Sequence, residues 1–287
     1  MSTQSEASRP AAHVHVPSSV MEGRKYGFLF FYALFYIAFL YVPSLFLPLF
    51  SFNDSIYIAF PLKGFTLKWY GEMMASAGLL DALYNSLKVA GVVAVVATIL
   101  GMLAAKAMTR YTFPAKGALA SFIMLPFVVP GIILGIALLV LTFSIGLQLS
   151  LFTIAVAHVL VCVPFSMLVL ISRLEGFDKN LEEASLDLGE NAWTTFWRVT
   201  FPLALPGVIA SLLLTFLSSF DEFILAFFLA GNEVTLPIYI WSQLRFPSKL
   251  PSVLALGSLI FMVSFVLIVF AEWIRRRGVS EPTKPGA

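Results

Sequence analysis

Apolar residues run through this chain in long blocks, separated by short polar turns. No Asp, Glu, Lys or Arg occurs between Lys25 and Asp54, or between Lys116 and Arg173. A helix needs about 20 apolar residues to cross the hydrocarbon core of a bilayer. The second block has room for two crossings, with a turn at residues 144–150. The pattern predicts an all-α, polytopic membrane protein with six transmembrane helices, at roughly 27–50, 82–105, 118–143, 150–172, 203–230 and 251–273.

Lys and Arg give the orientation, because they favour the cytoplasmic side of a membrane. The N-terminal tail, the 106–116 turn, the 173–200 loop and the C-terminal tail hold 13 of the 18 basic residues. The opposite side holds Lys63, Lys68, Lys88, Arg245 and Lys249. Both chain ends are therefore expected inside, with Arg275, Arg276 and Arg277 anchoring the last helix at the inner leaflet. Tyr26, Trp69, Tyr70, Tyr239, Trp241 and Trp273 fall near the predicted span ends and suit interfacial positions. Residues 1–25 and 275–287 read as cytoplasmic tails, the first disordered in character. Residues 26–274 form one transmembrane domain, with a core at roughly 80–274 and a charged loop at 173–202.

Composition agrees: 59% hydrophobic, 12% charged, mean hydropathy +0.91. A soluble domain carries about 25% charged residues. The net charge of +2 and the lack of a long basic stripe argue against nucleic acid as a partner. Membrane lipid is the obligatory one. Cys162, alone in an apolar run, allows neither a disulfide framework nor a metal cluster. His13 and His15 read as tail residues, and His158 as a packed, hydrogen-bonded histidine inside a span. No metal site, no catalytic grouping and no G-x-x-x-x-G-K-[ST] phosphate loop occurs, so no enzyme activity is expected of the chain.

Proline and glycine punctuate two spans. Pro126, Pro130 and Gly131 interrupt the third, and Pro164 the fourth. In lipid, freed backbone groups must be satisfied by neighbouring helices or by a water-lined cavity. A break of this kind is either a pathway element or an ordinary kink. Gly131 and Gly135 form a GxxxG pattern, which permits close helix approach within the chain or between chains.

The loop at 181–206, LEEASLDLGENAWTTFWRVTFPLALP, is the one long charged segment with helical patterning. Asn180 and Glu183 fit a capping box. Leu181, Ala184, Ser185 and Leu188 then share a face, and Gly189 would end the helix. Asn191 can cap a second short helix carrying Trp193, Phe196, Trp197 and Val199. Such an element either docks in the groove of a soluble protein or rests on lipid headgroups. Six acids against three bases over 173–200 favour the protein, because the inner leaflet is negative.

Glu183, Ala184 and Ser185, then Gly189, then Phe201 and Pro202, resemble the EAA motif of type I importer permeases of the ATP-binding-cassette class. Ser185 replaces the second Ala of that motif. The resemblance runs over roughly 65–275 and implies several things. The loop, through Leu181, Glu182, Glu183, Ala184, Ser185, Asp187, Gly189, Trp193 and Phe196, would couple to a separate ATPase dimer. That dimer would bind ATP and Mg, leaving this chain without a cofactor. A second, homologous permease and a periplasmic substrate-binding protein would complete the assembly in the bacterial inner membrane.

Acids inside a span are expensive and point to function. Asp221 and Glu222 lie in SSFDEF. On a continuous helix, Ser211, Thr215, Ser218 and Glu222 would fall within about 60° of one another. That is a polar stripe ending in a carboxylate, as a cation pathway or a set of interhelical hydrogen bonds would require. GFTLKWYGEM at 64–73, SFDEF at 219–223 and the stretch 236–258 are similar to the second permease subunit of spermidine/putrescine importers. This implies a polycation as cargo, received by Asp221 and Glu222 with Phe220, Tyr239 and Trp241 through charge and cation–π contacts. Amino-acid derivatives, opine-like solutes and phosphonates are the alternatives within such permeases. An ion-driven secondary transporter is a further alternative, but its expected pair of related halves is not visible between 27–143 and 150–273.

Overall fold

The computed structural model of the chain describes residues 27–278, with side chains described at 27 and at 29–266. The two tails, with His13, His15 and Tyr26, lie outside the described residues, as do the side chains of Trp273, Arg275, Arg276 and Arg277.

Twelve α-helices are described. Five long ones carry the membrane crossings: α1 (Phe28–Ser51), α3 (Ala77–Arg110), α6 (Leu151–Glu175), α9 (Phe201–Phe220) and α12 (Leu250–Gly278). The sixth segment is a bent pair, α4 (Lys116–Val128) and α5 (Gly131–Ser144), which turn by 101° at Val129–Pro130. The short helices are α2 (Lys68–Ala75), α7 (Asn180–Asp187), α8 (Ala192–Thr195), α10 (Ile224–Leu229) and α11 (Leu236–Gln243). Among the described residues the only β pairing is one bridge between Asn53 and Phe65.

The centre of the bundle is α3 against α6 and α9. Lipid tails are as apolar as leucine, so helices in a membrane associate by close packing and by hydrogen bonds. The sequence of α3 provides for this. Its buried face is built of small residues at helical spacing, including Ala82, Ala90, Ala94, Ala97, Gly101 and Ala105. In the most apolar stretch of α3, 44% of residues are buried, against 6% in α1. α1 therefore lies at the periphery, packed on α12.

Several expectations change. Pro164 does not interrupt the fourth span: α6 runs unbroken through it, opened by a reciprocal cap between Ser150 and Thr153. The fifth span stops at Phe220 instead of continuing to 230, and the chain re-forms as α10 after a three-residue break at 221–223. The break at Pro130 is an elbow rather than a kink. Its GxxxG pair serves contact within the chain, against α10. A Cβ at Gly135 would stand 2.6 Å from Cδ2 of Phe228, and one at Gly131 would touch Ile224.

Candidate functional site

The loop at 173–202 is folded as a compact helical elbow beneath the inner end of the bundle. α7 begins after Asp178, whose Oδ1 accepts from the Asn180 backbone N–H at 3.0 Å. Asp178, rather than Asn180, thus satisfies the start of the helix, and Asn180 is its first residue. Gly189, at φ +91°, ends α7. Its N–H bonds the carbonyl of Leu186 at 2.9 Å, and the next N–H, of Glu190, bonds that of Ser185 at 3.2 Å. This is a Schellman closure, which requires the left-handed conformation that glycine adopts without strain. Asn191 caps α8, accepting from the Thr194 N–H at 2.9 Å.

One side chain ties this elbow to the membrane helices, and a second holds its two short helices together. Glu182 receives the Arg110 Nε–H at 2.8 Å and the Thr200 hydroxyl at 2.7 Å. Arg110, at the inner end of α3, also donates to the Leu174 carbonyl at the end of α6. One carboxylate therefore joins α7, α3 and the π-turn Phe196–Thr200 that leads into α9. Ser185 meets Thr195 at 3.0 Å and fixes α7 on α8.

The rest of α7 is left uncovered. Leu181, Glu183, Ala184, Asp187 and Gly189 are exposed, and Leu188 is 87% exposed. Trp193 is 70% exposed, while Phe196 is half-buried. Trp193 and Phe196 stack in a run of rings with Trp197 and Phe201 at the base of α8.

The predicted polar stripe is divided by the structure. Ser211 is fully buried and sits between Thr98 of α3 (3.0 Å) and Ser166 of α6 (2.7 Å). Thr215, also fully buried, donates to the Ser211 carbonyl. The buried line continues through Ser219, which meets His158 Nδ1 at 2.8 Å, and not through Ser218, which is exposed. Ser211 and Thr215 thus hold helices together, the kind of hydroxyl contact that membrane interiors use.

The acids lie where α9 ends. Glu222 is half-buried, and its Oε1 accepts from the backbone N–H groups of Ile224 (2.9 Å) and Leu225 (3.1 Å) at the start of α10. Asp221 is exposed. It lines a cavity of about 350 Å³ together with Phe220, Phe223, Ile240 and Trp241. The rings of Phe223 and Trp241 are 5.6 Å apart. Of the predicted path residues, the fold therefore brings Asp221, Phe220 and Trp241 to one cavity. Tyr239, on the same short helix as Trp241, lines a different cavity of about 520 Å³ with Glu72, Lys68 and Lys249, and its hydroxyl lies 3.3 Å from that of Ser76.

Arg110, Thr200 and Phe223 were not singled out by sequence reasoning. Arg110 and Glu182 are 72 positions apart, and no spacing rule links them. Phe223 was visible as part of SFDEF, but its orientation depends on the turn after Phe220.

A buried bundle, an elbow of short helices with an exposed face at its inner end, and a broken helix carrying an acid into an aromatic cavity define a membrane transport subunit. The chain belongs to the family described as the binding-protein-dependent transport system inner membrane component, whose model matches residues 97–278. It is a permease of the ATP-binding-cassette import type. It is 34% identical over 227 residues to the spermidine/putrescine transport system permease protein PotC of Escherichia coli K12, covering 79% of this chain and 85% of that one. It is 33% identical over 255 residues to the putrescine transport system permease protein PotI of the same organism, covering 86% of each. Its fold is similar to a chain in the crystal structure of a bacterial ABC transporter involved in the import of the acidic polysaccharide alginate. That match has a TM-score of 0.65 at 16% identity, over 87% of this chain and 94% of that one.

Proposed function

We propose that this permease carries polyamines, and that Asp221 is the group that meets the cationic cargo. The observation that carries the reading is the cavity in which an exposed carboxylate stands among Phe220, Phe223 and Trp241. An ammonium group gains from the carboxylate by charge and from the ring faces by cation–π attraction. Glu222 is engaged with the backbone of α10 and acts by holding that turn in place. The names of the two relatives, PotC and PotI, support the cargo class. The cavity alone would equally suit other amine-bearing solutes.

The chain works beside an ATPase dimer, a second permease and a periplasmic binding protein. Its docking face for the ATPase is the uncovered side of α7: Leu181, Glu183, Ala184, Asp187 and Leu188, up to Gly189. Glu182 passes the movement to α3 through Arg110 and to α9 through Thr200. ATP and its Mg are held by the ATPase.

The test is reconstitution with the ATPase, second permease and binding protein encoded beside it. ATP hydrolysis is measured as spermidine, putrescine and a neutral amino acid are added in turn. Stimulation by a polyamine, weakened in Asp221→Asn with assembly intact, is the expected result. Stimulation by another solute only would end the polyamine assignment.

A further inference from the structure

Lys106 stands near the inner end of α3 between two hollows. One, of about 340 Å³, is apolar apart from this lysine and Tyr111, with Met102, Leu103, Trp193 and Phe196 in its wall. The other, of about 240 Å³, is lined by charged groups: Arg110, Lys179, Glu182 and Glu183. Lys106, Tyr111 and Ala192 belong to both, so the hollows adjoin.

The charges do not balance. Arg110 and Glu182 are paired at 2.8 Å. That leaves Lys106 and Lys179 against Glu183, an excess of one positive charge. Lys106 is half-buried, with its ammonium 4.7 Å from the Phe196 ring centre.

The apolar hollow opens toward lipid. Leu103 lies within a membrane-crossing helix and is 62% exposed. Tyr111 and Trp193, both exposed, flank the joined hollow as aromatic residues do at headgroup depth. An apolar groove that runs from the bilayer into a cationic cup on the cytoplasmic side has the chemistry of an anionic-lipid site.

We infer that the joined hollow binds one anionic phospholipid of the inner leaflet. Its phosphodiester lies at Lys106 and Lys179, and one acyl chain lies along Met102, Leu103 and Phe196. The lipid then forms part of the seat of α8; α7 lends Glu183 to the wall of the cup and keeps Leu181, Ala184, Asp187 and Leu188 free for a protein partner. This assignment goes beyond the cargo reading and does not depend on it.

The experiment is native mass spectrometry of the complete transporter complex, released from micelles containing phosphatidylglycerol or phosphatidylcholine. Phosphatidylglycerol should be retained in preference to phosphatidylcholine. Its binding should weaken about fivefold in Lys106→Gln, the effect of one basic residue near an anionic headgroup, and persist in Lys106→Arg. Leu103→Trp, which fills the groove from the lipid side and leaves every charge in place, should also lose the lipid. Equal retention in all variants, or no preference between the two lipids, overturns the site. Displacement by inorganic phosphate overturns the lipid assignment in favour of a soluble anion. Disulfide cross-linking of Trp193→Cys to a cysteine on the ATPase would make the hollow part of the protein interface and likewise overturn it.

Discussion

Glu182 and Arg110 form a nearly buried ion pair, 2.8 Å apart, with side chains 13% and 7% exposed. The pair links the outermost helix of the inner loop to the longest helix of the bundle. Removing one partner of a buried pair strands the other charge and costs about 3 kcal/mol or more. Glu182→Gln and Arg110→Gln should each lower the thermal midpoint of the purified complex and reduce uptake. The double variant should lose less than the sum of the two. Strict additivity in a double-mutant cycle would show that the pair does not act as a unit.

Gly189 tests the shape of the elbow. At φ +91° a residue with a side chain pays about 1–2 kcal/mol for the left-handed conformation. Gly189→Leu should impair ATP-driven uptake, and Gly189→Asn should do so less, because asparagine tolerates that region. Normal uptake by the leucine variant would remove α7 closure from the coupling path.

Gly135 is set against Phe228, which leaves no room for a Cβ at that position. Gly135→Leu overpacks the contact between α5 and α10, at a cost of about 1–3 kcal/mol. The expected result is a lower thermal midpoint, partly restored by Phe228→Ala. Failure of the second change to restore it would place the strain elsewhere.

The two neighbouring acids should separate cleanly. Glu222→Gln weakens a charged acceptor of two backbone N–H groups and should destabilise by about 1 kcal/mol, read as a thermal shift. Asp221→Asn breaks no such bond and relieves the repulsion between its carboxylate and the C-terminal end of α9, so it should hold or slightly raise the thermal midpoint while reducing uptake. The reverse pattern would exchange the two roles.

Ser211 bears on where the pathway runs. Hydrogen bonds between membrane helices average about 0.6 kcal/mol, so Ser211→Ala should shift stability only slightly. Its hydroxyl lies between α3 and α6, away from the aromatic cavity, so uptake should persist. Abolished uptake with normal stability would return Ser211 to the cargo path.

Hydropathy alone made the long helices legible, because a bilayer imposes a minimum length that sequence must meet. The elbow at 181–206 was readable for a different reason: caps and glycine closures are local, and Asn191 and Gly189 act within four residues of their own positions. The end of α9 was not readable. Apolar residues continue through 223–230, so hydropathy sees one helix where the backbone breaks at Asp221. The helical-wheel stripe carried that error forward and joined Ser218 and Glu222 to a face that belongs to Ser219. α2 escaped notice because its mean hydropathy is low, although Trp69 and Met73 have the four-residue spacing of a buried helical face. The Arg110–Glu182 pair, like the separation of Tyr239 from Trp241 into two cavities, is a product of tertiary packing and leaves no trace in spacing.

The break after Phe220 places two helix ends of opposite polarity within four residues. A helix terminus carries about half an elementary charge, negative at its C-terminal end and positive at its N-terminal end. Glu222 sits on the positive end, that of α10, and offsets it. The negative end, that of α9, has Asp221 for its cap, and the two add instead of cancelling. The field in the cavity is therefore set in part by peptide dipoles that no side-chain substitution can remove. An asparagine at 221 would still present a cation with a mildly attractive wall and an anion with a repulsive one.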